Sequence, residues 1–153
     1  MLIAVVSDTH HDKSTLDRIL QCTKTADVIF HLGDNVTDAL YLKERFQGEV
    51  YYVKGNCDGY NSAPKELVVE LKGKRLLLTH GDHYGVKISD AMLKIKAVEQ
   101  GVQVALYGHT HIPSIEDYGD VMLINPGSAA LPRMSEKSIA FMEIEENKRI
   151  YAY

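Results

Sequence analysis

The chain has 153 residues, of which 45% are hydrophobic, and this suffices for a single domain, residues 1–153, with a buried core. Its net charge of −4 gives no electrostatic reason to expect extended nucleic-acid binding. No apolar run is long enough to cross a membrane, the N-terminus lacks the basic stretch of a signal peptide, and two cysteines are too few for a disulfide framework, so we expect a cytoplasmic protein without membrane partners.

The first 60 residues alternate short apolar runs with amphipathic segments. The apolar runs predict strands over 2–6, 26–30 and 50–53, and the segments between them predict helices over 14–24 and 37–46. This order predicts parallel strands joined by right-handed crossovers. Polar residues follow each strand and should therefore meet at the carboxyl edge of the sheet, where open α/β sheets place their sites.

The rest of the chain is richer in strands. A helix is predicted over 87–100, with a buried apolar face made of Ile88, Ala91, Met92, Ile95 and Val98. We expect two sheets packed face to face with helices on their outer faces. The strands are predicted over 66–71, 74–79, 102–107, 114–118, 121–124, 138–145 and 149–153.

Side chains that can bind metal ions follow five of the predicted strands. They are Asp8 with His10, Asp34, Asn56, His80, and His109 with His111. A glycine adjoins most of these positions, and we expect it to permit positive φ or a close backbone approach. Seven nitrogen and oxygen donors are too many for one tetrahedral zinc, but they suit two ions that share a carboxylate. Paired ions are a recurrent solution for in-line displacement at phosphorus.

The order of these motifs resembles that of the calcineurin-like metallophosphoesterases. The segments that carry the resemblance are Asp8-Thr9-His10, Gly33-Asp34, Gly55-Asn56-x-Asp58, His80-Gly81 and Gly108-His109-Thr110-His111. The later Asn125-Pro126-Gly127-Ser128 and Pro132-Arg133 resemble the small, single-domain phosphodiesterase (YfcE-like) branch. The resemblance implies an α/β fold, a four-layer α/β/β/α sandwich of two mixed β-sheets flanked by helices.

The resemblance also implies a dinuclear metal centre and a catalytic activity. One ion would be held by Asp8, His10 and His111. The other would be held by Asn56, His80 and His109. Asp34 would bridge them and position the hydroxide nucleophile, and Asn56 would assist catalysis. We expect manganese, with nickel, iron or zinc as alternatives. The implied activity is hydrolysis of a small phosphodiester, because the chain has no insertion long enough to form a lid.

Five further residues are candidates for contacts around this centre. Cys57 stands where many relatives have a histidine that contacts phosphate, so we expect phenolate leaving groups to react faster than alkoxides; the alternative is a small residue filling the floor of the site. Asp58 either orients a ligand histidine or caps its own turn. Arg133 either binds phosphate or forms a surface salt bridge. His11 could line the mouth of the pocket, and His83 could touch substrate. His31, inside a strand, is interpreted as a packed histidine.

Two other functions are compatible with this sequence. The small subunit of the eukaryotic retromer is similar in fold and acts as a protein-interaction scaffold, but the presence of all seven donors favours an enzyme. A thiol enzyme built on Cys57 lacks a second cysteine nearby in the sequence. Small relatives often form homodimers or tetramers, and we expect the same here by analogy.

Overall fold

Two five-stranded mixed sheets form the centre of the computed structural model, which describes residues 1–60, 63–145 and 149–153. The strands in chain order are β1 (Leu2–Val6), β2 (Val28–His31), β3 (Glu49–Tyr52), β4 (Glu66–Leu71), β5 (Lys74–Thr79), β6 (Val104–Leu106), β7 (Pro113–Asp117), β8 (Met122–Pro126), β9 (Ala140–Ile144) and β10 (Ile150–Ala152). The helices are α1 (Lys13–Cys22), α2 (Val36–Arg45) and α3 (Ala91–Glu99).

The first sheet has the order β10-β9-β1-β2-β3. β1 and β2 pair in parallel, with Ile3 opposite Val28, and β2 pairs in parallel with β3. The parallel arrangement predicted for the first three strands is therefore confirmed. β9 returns antiparallel to β1 and closes this side of the sheet together with β10.

The second sheet has the order β4-β5-β6-β8-β7. Its three central strands are parallel, and β4 and β7 pair antiparallel at the two edges. Because β1, β2, β3, β5 and β6 each end at the same side of the sandwich, the loops that follow them converge there.

The layers are held together by three apolar clusters. Between the sheets, β1 and β2 contribute Val5 and Phe30, which pack with Leu78 and Leu106 of the second sheet. α1 and α2 cover the outer face of the first sheet, and α3 covers the outer face of the second. This is the predicted four-layer α/β/β/α sandwich.

The predicted orientation of the third helix is wrong. The helix begins at Ala91 rather than near residue 87, and its buried residues are Leu93 and Ala97. Ile88 is 95% exposed and Met92 is 60% exposed, although the sequence predicted both in the core. A nine-residue helix covers only a narrow part of the sheet, and it does so here through the Leu93–Ala97 stripe, which is less apolar than the opposite face.

Candidate metal centre

The seven predicted donors converge at the carboxyl end of both sheets. Backbone hydrogen bonds tie their loops together: the Asp8 N–H donates to the Gly33 carbonyl at 3.1 Å, and the Gly108 N–H donates to the His80 carbonyl at 3.0 Å. The first of these bonds joins two loops of the first sheet, and the second joins two loops of the second sheet. The donors are thus held by strand ends.

A first group of donors surrounds one oxygen of Asp8. Nε2 of His111 lies 3.0 Å from Asp8 Oδ1, and Nε2 of His10 lies 3.8 Å from the same oxygen. The two imidazole nitrogens are 3.4 Å apart. All three atoms lie within 4.8 Å of one another, a spacing that could hold a metal ion.

A second group of donors surrounds Nε2 of His80. Oδ1 of Asn56 and Nδ1 of His109 each lie 3.2 Å from this nitrogen. His109 and His111 therefore belong to different groups, although only one residue separates them.

The Asp34 carboxylate lies between the two groups. Its Oδ2 is 3.5 Å from Nε2 of His80, and a carboxylate oxygen of Asp34 also lies within 4.8 Å of a donor atom of His10. Its Oδ1 accepts a hydrogen bond from the Cys57 N–H at 2.9 Å.

In their neutral forms, His80 and His111 direct a lone pair of Nε2 toward carboxylate oxygens, which are also acceptors. Nδ1 of His80 pairs with the Leu32 carbonyl at 2.8 Å, and Nδ1 of His111 pairs with the Leu131 carbonyl. We assign the proton to Nδ1 in both rings, because a carbonyl can only accept, so the Nε2 lone pairs of the neutral rings face carboxylate oxygens. Histidines that bind metals commonly donate their other nitrogen to a carbonyl in this way.

One buried oxygen has no hydrogen-bond partner in this arrangement. Oδ2 of Asp8 accepts from the Ser7 hydroxyl at 2.6 Å and from the His109 N–H at 3.1 Å. Oδ1 of Asp8 is buried and receives no hydrogen bond within the described residues. A fully buried carboxylate oxygen without a donor is costly, and a cation among the imidazole nitrogens would satisfy it. The donors therefore fit a divalent metal ion.

The acidic groups of the centre are held in their ionised form. Burial opposes ionisation of Asp8, but hydrogen bonding and the attraction of His111 and His80 in their protonated forms outweigh it, so the pKa of Asp8 is lowered; a bound cation would replace those protons. The pKa of Asp34 is also lowered, since contacts with His80 and Cys57 outweigh its burial. Burial favours the neutral form of His80, but the two carboxylates outweigh it and raise the pKa of that ring.

Several donors have a left-handed backbone conformation that L-residues rarely adopt. The φ angles are 55° at Asp8, 46° at His10, 47° at Asp34, 68° at His109 and 60° at His111. Such conformations cost on the order of 1–3 kcal/mol each and persist where the surroundings enforce them. The centre is therefore built on strained loops.

The flanking glycines contribute space as well as positive φ. Gly33 has a φ of +100°, as the sequence analysis expected. Gly55 and Gly108 do not have positive φ; they are needed because a Cβ at Gly55 would overlap Asp34 Oδ1, and one at Gly108 would overlap the Ser7 hydroxyl. Close approach is the reason for a glycine at these two positions.

Comparison with known proteins places the chain in a family. The model of the calcineurin-like phosphoesterase superfamily domain matches residues 1–147. The chain belongs to this superfamily. A probable metallophosphoesterase of Methanocaldococcus jannaschii is 36% identical over 154 residues, covering 95% of this chain and 77% of the relative. The phosphodiesterase YfcE of Escherichia coli K12 is 35% identical over 158 residues, covering 87% of this chain and 82% of the relative.

The calcineurin-like fold also occurs in a more distant solved structure. Wild-type Vps29 of Entamoeba histolytica, crystallised in complex with Zn²⁺, superposes with a TM-score of 0.75 at 20% identity. The match covers all of this chain and 97% of the Vps29 chain. Within the described ranges, no helix of this calcineurin-like chain combines the length and apolar character needed to cross a bilayer.

Cys57 and Asp58 both contact the loop that carries Asp34. The Cys57 side chain is exposed, and hydrogen bonding to Asp34 raises the pKa of its thiol to about 11. Asp58 accepts hydrogen bonds from the backbone N–H groups of Asp34, Gly55 and Val36. These bonds match the turn-capping alternative for Asp58, extended to the neighbouring loop.

The remaining predicted contact residues differ in how they are placed around the donors. His83 stands between Glu66 and Asp82, each 3.6 Å from one of its ring nitrogens, so it faces acids rather than the centre. His11 is exposed at the rim, 3.4 Å from Asp38. The Arg133 N–H donates to the His111 carbonyl at 3.0 Å, which places Arg133 beside the centre.

A buried network beneath the donors was not predicted from the sequence. The Thr9 hydroxyl donates to Asp38 at 2.6 Å and lies 3.0 Å from Nε2 of His31, whose Nδ1 accepts from the Gly33 N–H at 3.2 Å. His31 is buried as predicted, and it links the loops of Asp8 and Asp34. No sequence motif links these residues, because Asp38 lies on α2, far from Thr9 in the sequence. Their polar residue types were the one available signal.

The end of β8 and the turn that follows it support the loops that carry Asp8 and Thr110. Asn125 donates through Nδ2 to the Gly108 carbonyl at 3.0 Å and to the Thr110 hydroxyl at 2.9 Å. Ser128 donates to the Asp8 carbonyl at 2.8 Å. The structural turn predicted for residues 125–128 therefore holds the loops of Asp8 and Thr110 in place.

Proposed function

We propose that the chain is a dinuclear, metal-dependent phosphodiesterase that acts on small phosphodiesters and works in the cytoplasm. The observation that carries the proposal is the unpartnered Oδ1 of Asp8, which lies within 4 Å of three imidazole nitrogens, on His10, His80 and His111. Membership of the calcineurin-like superfamily and similarity to a phosphodiesterase support the type of reaction.

Each ion would be held by donors from one of the two groups. Asp8, His10 and His111 would bind the first ion. Asn56, His80 and His109 would bind the second. Asp34 would contribute to both, because its carboxylate lies between the groups. The mixture of nitrogen and oxygen donors suits manganese, with nickel, iron or zinc as alternatives.

When bound, the ions would lower the pKa of water and offset the charge of the phosphoryl oxygens. The oxygen of water would form the new bond to phosphorus, and the bond between phosphorus and the leaving oxygen would break. The released proton would go to that oxygen or to solvent. Asp34 would hold its place through the Cys57 N–H, and Asn56 would direct its amide oxygen to the same centre.

The test combines metal content with turnover in Asp34→Asn. We expect two ions per chain in the wild type and manganese-dependent hydrolysis of bis(p-nitrophenyl) phosphate. The variant should bind at most one ion tightly and lose at least about 100-fold in kcat/KM, because an amide is a weaker bridging ligand than a carboxylate. Ion content is measured by plasma emission spectroscopy.

Asp120→Asn, an exposed aspartate in the turn after β7, serves as the matched control and should retain both properties. Two ions with full turnover in Asp34→Asn would refute the bridging role. A wild type that hydrolyses no phosphodiester with manganese, nickel, iron or zinc would instead favour the protein-interaction scaffold.

A further inference from the structure

A groove of about 480 Å³ lies beside the candidate metal centre. Thr110, which stands between His109 and His111 in the sequence, forms part of its wall, so the groove lies next to the loop that supplies one donor to each group. Its volume lies in the range of pockets that hold small organic ligands. Its other walls include Val86, Lys87, Ile112, Arg133 and Met134.

Part of the groove is apolar and accessible. Ile112 is 41% exposed and Met134 is 97% exposed, whereas Val86 is buried. A flexible methionine next to an aliphatic side chain suits an apolar ligand of variable shape. This surface could therefore hold the carbon skeleton of a substituent bound next to the metal centre.

Two cations also line the groove. Lys87 and Arg133 are exposed, and no ion pair among the described residues uses either side chain. The backbone N–H of Arg133 donates to the His111 carbonyl at 3.0 Å, and Lys87 follows Val86 in the wall of the groove. Both cations thus line the same groove as the apolar side chains of Ile112 and Met134.

We propose that this groove binds the ester substituent that stays on phosphorus, and that Lys87 and Arg133 select a substituent carrying its own anionic group. The inference rests on the proposed phosphodiesterase function and narrows its substrate class. The substrate would be a small phosphodiester in which the retained alcohol has an apolar skeleton and a carboxylate or a further phosphate.

The test uses three diesters that share p-nitrophenol as the leaving group. Their second alcohols are phenol, 4-hydroxybenzoate and choline, which are neutral, anionic and cationic. With manganese, we expect the wild type to prefer the carboxyphenyl diester over the phenyl diester by about 10-fold in kcat/KM, because two exposed cations act together on the carboxylate. The choline diester should be the poorest of the three.

In the variant K87M/R133M, the ratio of kcat/KM for the carboxyphenyl diester to that for the phenyl diester should fall from about 10 to about 1, because the two charges that attract the carboxylate are gone. K72M/R75M is the matched control and should keep the preference, because both residues are exposed near the β4–β5 turn, at the opposite end of β5 from His80. An unchanged preference in K87M/R133M would overturn the proposal. An equal loss for all three diesters would also overturn it, since the cations would then act on the phosphoryl group itself.

A binding measurement separates this inference from the proposed function. Calorimetry compares the affinities of 4-carboxyphenyl phosphate and phenyl phosphate for the wild type and for K87M/R133M. The wild type should bind the carboxylated compound about 10-fold more tightly, and the variant should bind the two equally. If no diester is hydrolysed, the phosphodiesterase proposal fails, and equal affinities in the wild type would independently refute selection by the groove.

Discussion

At the scale of single residues, the Cys57 thiol lacks the properties of a nucleophile. The adjacent Asp34 carboxylate raises the pKa of the thiol to about 11, so the thiol stays protonated at neutral pH. A nucleophilic cysteine needs the opposite shift. The geometry thus gives no support to a thiol enzyme and leaves Cys57 as a weak hydrogen-bond donor beside the carboxylate.

This predicts slow alkylation of Cys57 in the metal-free protein. The rate with iodoacetamide should rise with pH up to about 11, and in Asp34→Asn the rise should occur at lower pH because the carboxylate is gone. Mass spectrometry of the labelled peptide follows the rate. Cys57→Ser should keep kcat/KM for aryl diesters within about 3-fold, since a hydroxyl donates in the same place. Rapid labelling at pH 7 in the wild type would contradict the assignment.

His31 predicts a pH dependence of stability. Burial lowers the pKa of His31 to about 4, and the nearby carboxylates restore only part of the loss. Between pH 6.5 and 4 the unfolded chain binds a proton at this ring that the folded chain does not, so stability falls as pH falls through this window. The neutral His31 ring therefore contributes roughly 3 kcal/mol to the free energy of unfolding above pH 6.5, and this contribution is lost by about pH 4.

His31→Gln removes the titration and keeps a donor for the Thr9 hydroxyl. Urea unfolding of the metal-free proteins at pH 7.5 and pH 4.5 should show a larger loss for the wild type than for the variant. The comparison cancels the contributions of other titrating groups. An equal loss in both proteins would show that the ring is already charged when folded.

At the scale of elements, sequence patterns predicted the strands well and one helix face poorly. Buried strands such as β1 and β2 are recognisable because both of their faces are apolar. In α3 the apolar residues lie on both sides, and Leu93 and Ala97 are the ones that pack against the second sheet. Periodicity within one helix does not contain that information.

Truncations in and around α3 test this orientation. Leu93→Ala should cost about 2–5 kcal/mol in the free energy of unfolding, because Leu93 is fully buried. Ile88→Ala removes a side chain of similar size and should change stability by less than about 0.5 kcal/mol, because Ile88 is 95% exposed. Urea titration gives both values. Comparable losses would indicate that the apolar face is covered in solution.

The site was likewise predictable in part. The donors could be identified because each follows an apolar strand, so topology brings them together. The supporting residues could not: Thr9, His31 and Asp38 are ordinary in sequence, and their relation depends on how α2 packs on the first sheet. The sequence resemblance assigns His109 and His111 to different ions, and the structure places these two residues in different groups of donors.

At the scale of the whole molecule, the candidate centre joins the two sheets. The first group of donors takes Asp8 and His10 from the first sheet and His111 from the second. The second group takes Asn56 from the first sheet and two histidines from the second. Ions bound as proposed would therefore link the two halves of the sandwich at the end where the strands finish.

This arrangement predicts strong stabilisation by metal. At a free Mn²⁺ concentration of about 100 times Kd, binding adds about 2.7 kcal/mol per site, which for a chain of this size raises Tm by several degrees. Scanning calorimetry with manganese and with EDTA measures the shift. The increase in Tm caused by manganese should become smaller below pH 6.5, because protons compete for the imidazole nitrogens. Manganese should raise the Tm of His111→Ala less than that of the wild type. If the wild type has the same Tm with manganese and with EDTA, tight binding of manganese is excluded.

The left-handed backbone of the donors also limits how this centre could be transferred. Five of the seven donors, Asp8, His10, Asp34, His109 and His111, depend on φ angles that a regular strand or helix does not offer. A designer who copied only the side chains onto another α/β scaffold would find the donors pointing elsewhere. The transferable unit is each loop with its neighbours: the space at Gly55 and Gly108, the clamp of Asp58 and the turn around Asn125. The donor side chains, their loops and the residues that support those loops would therefore have to be grafted as one unit.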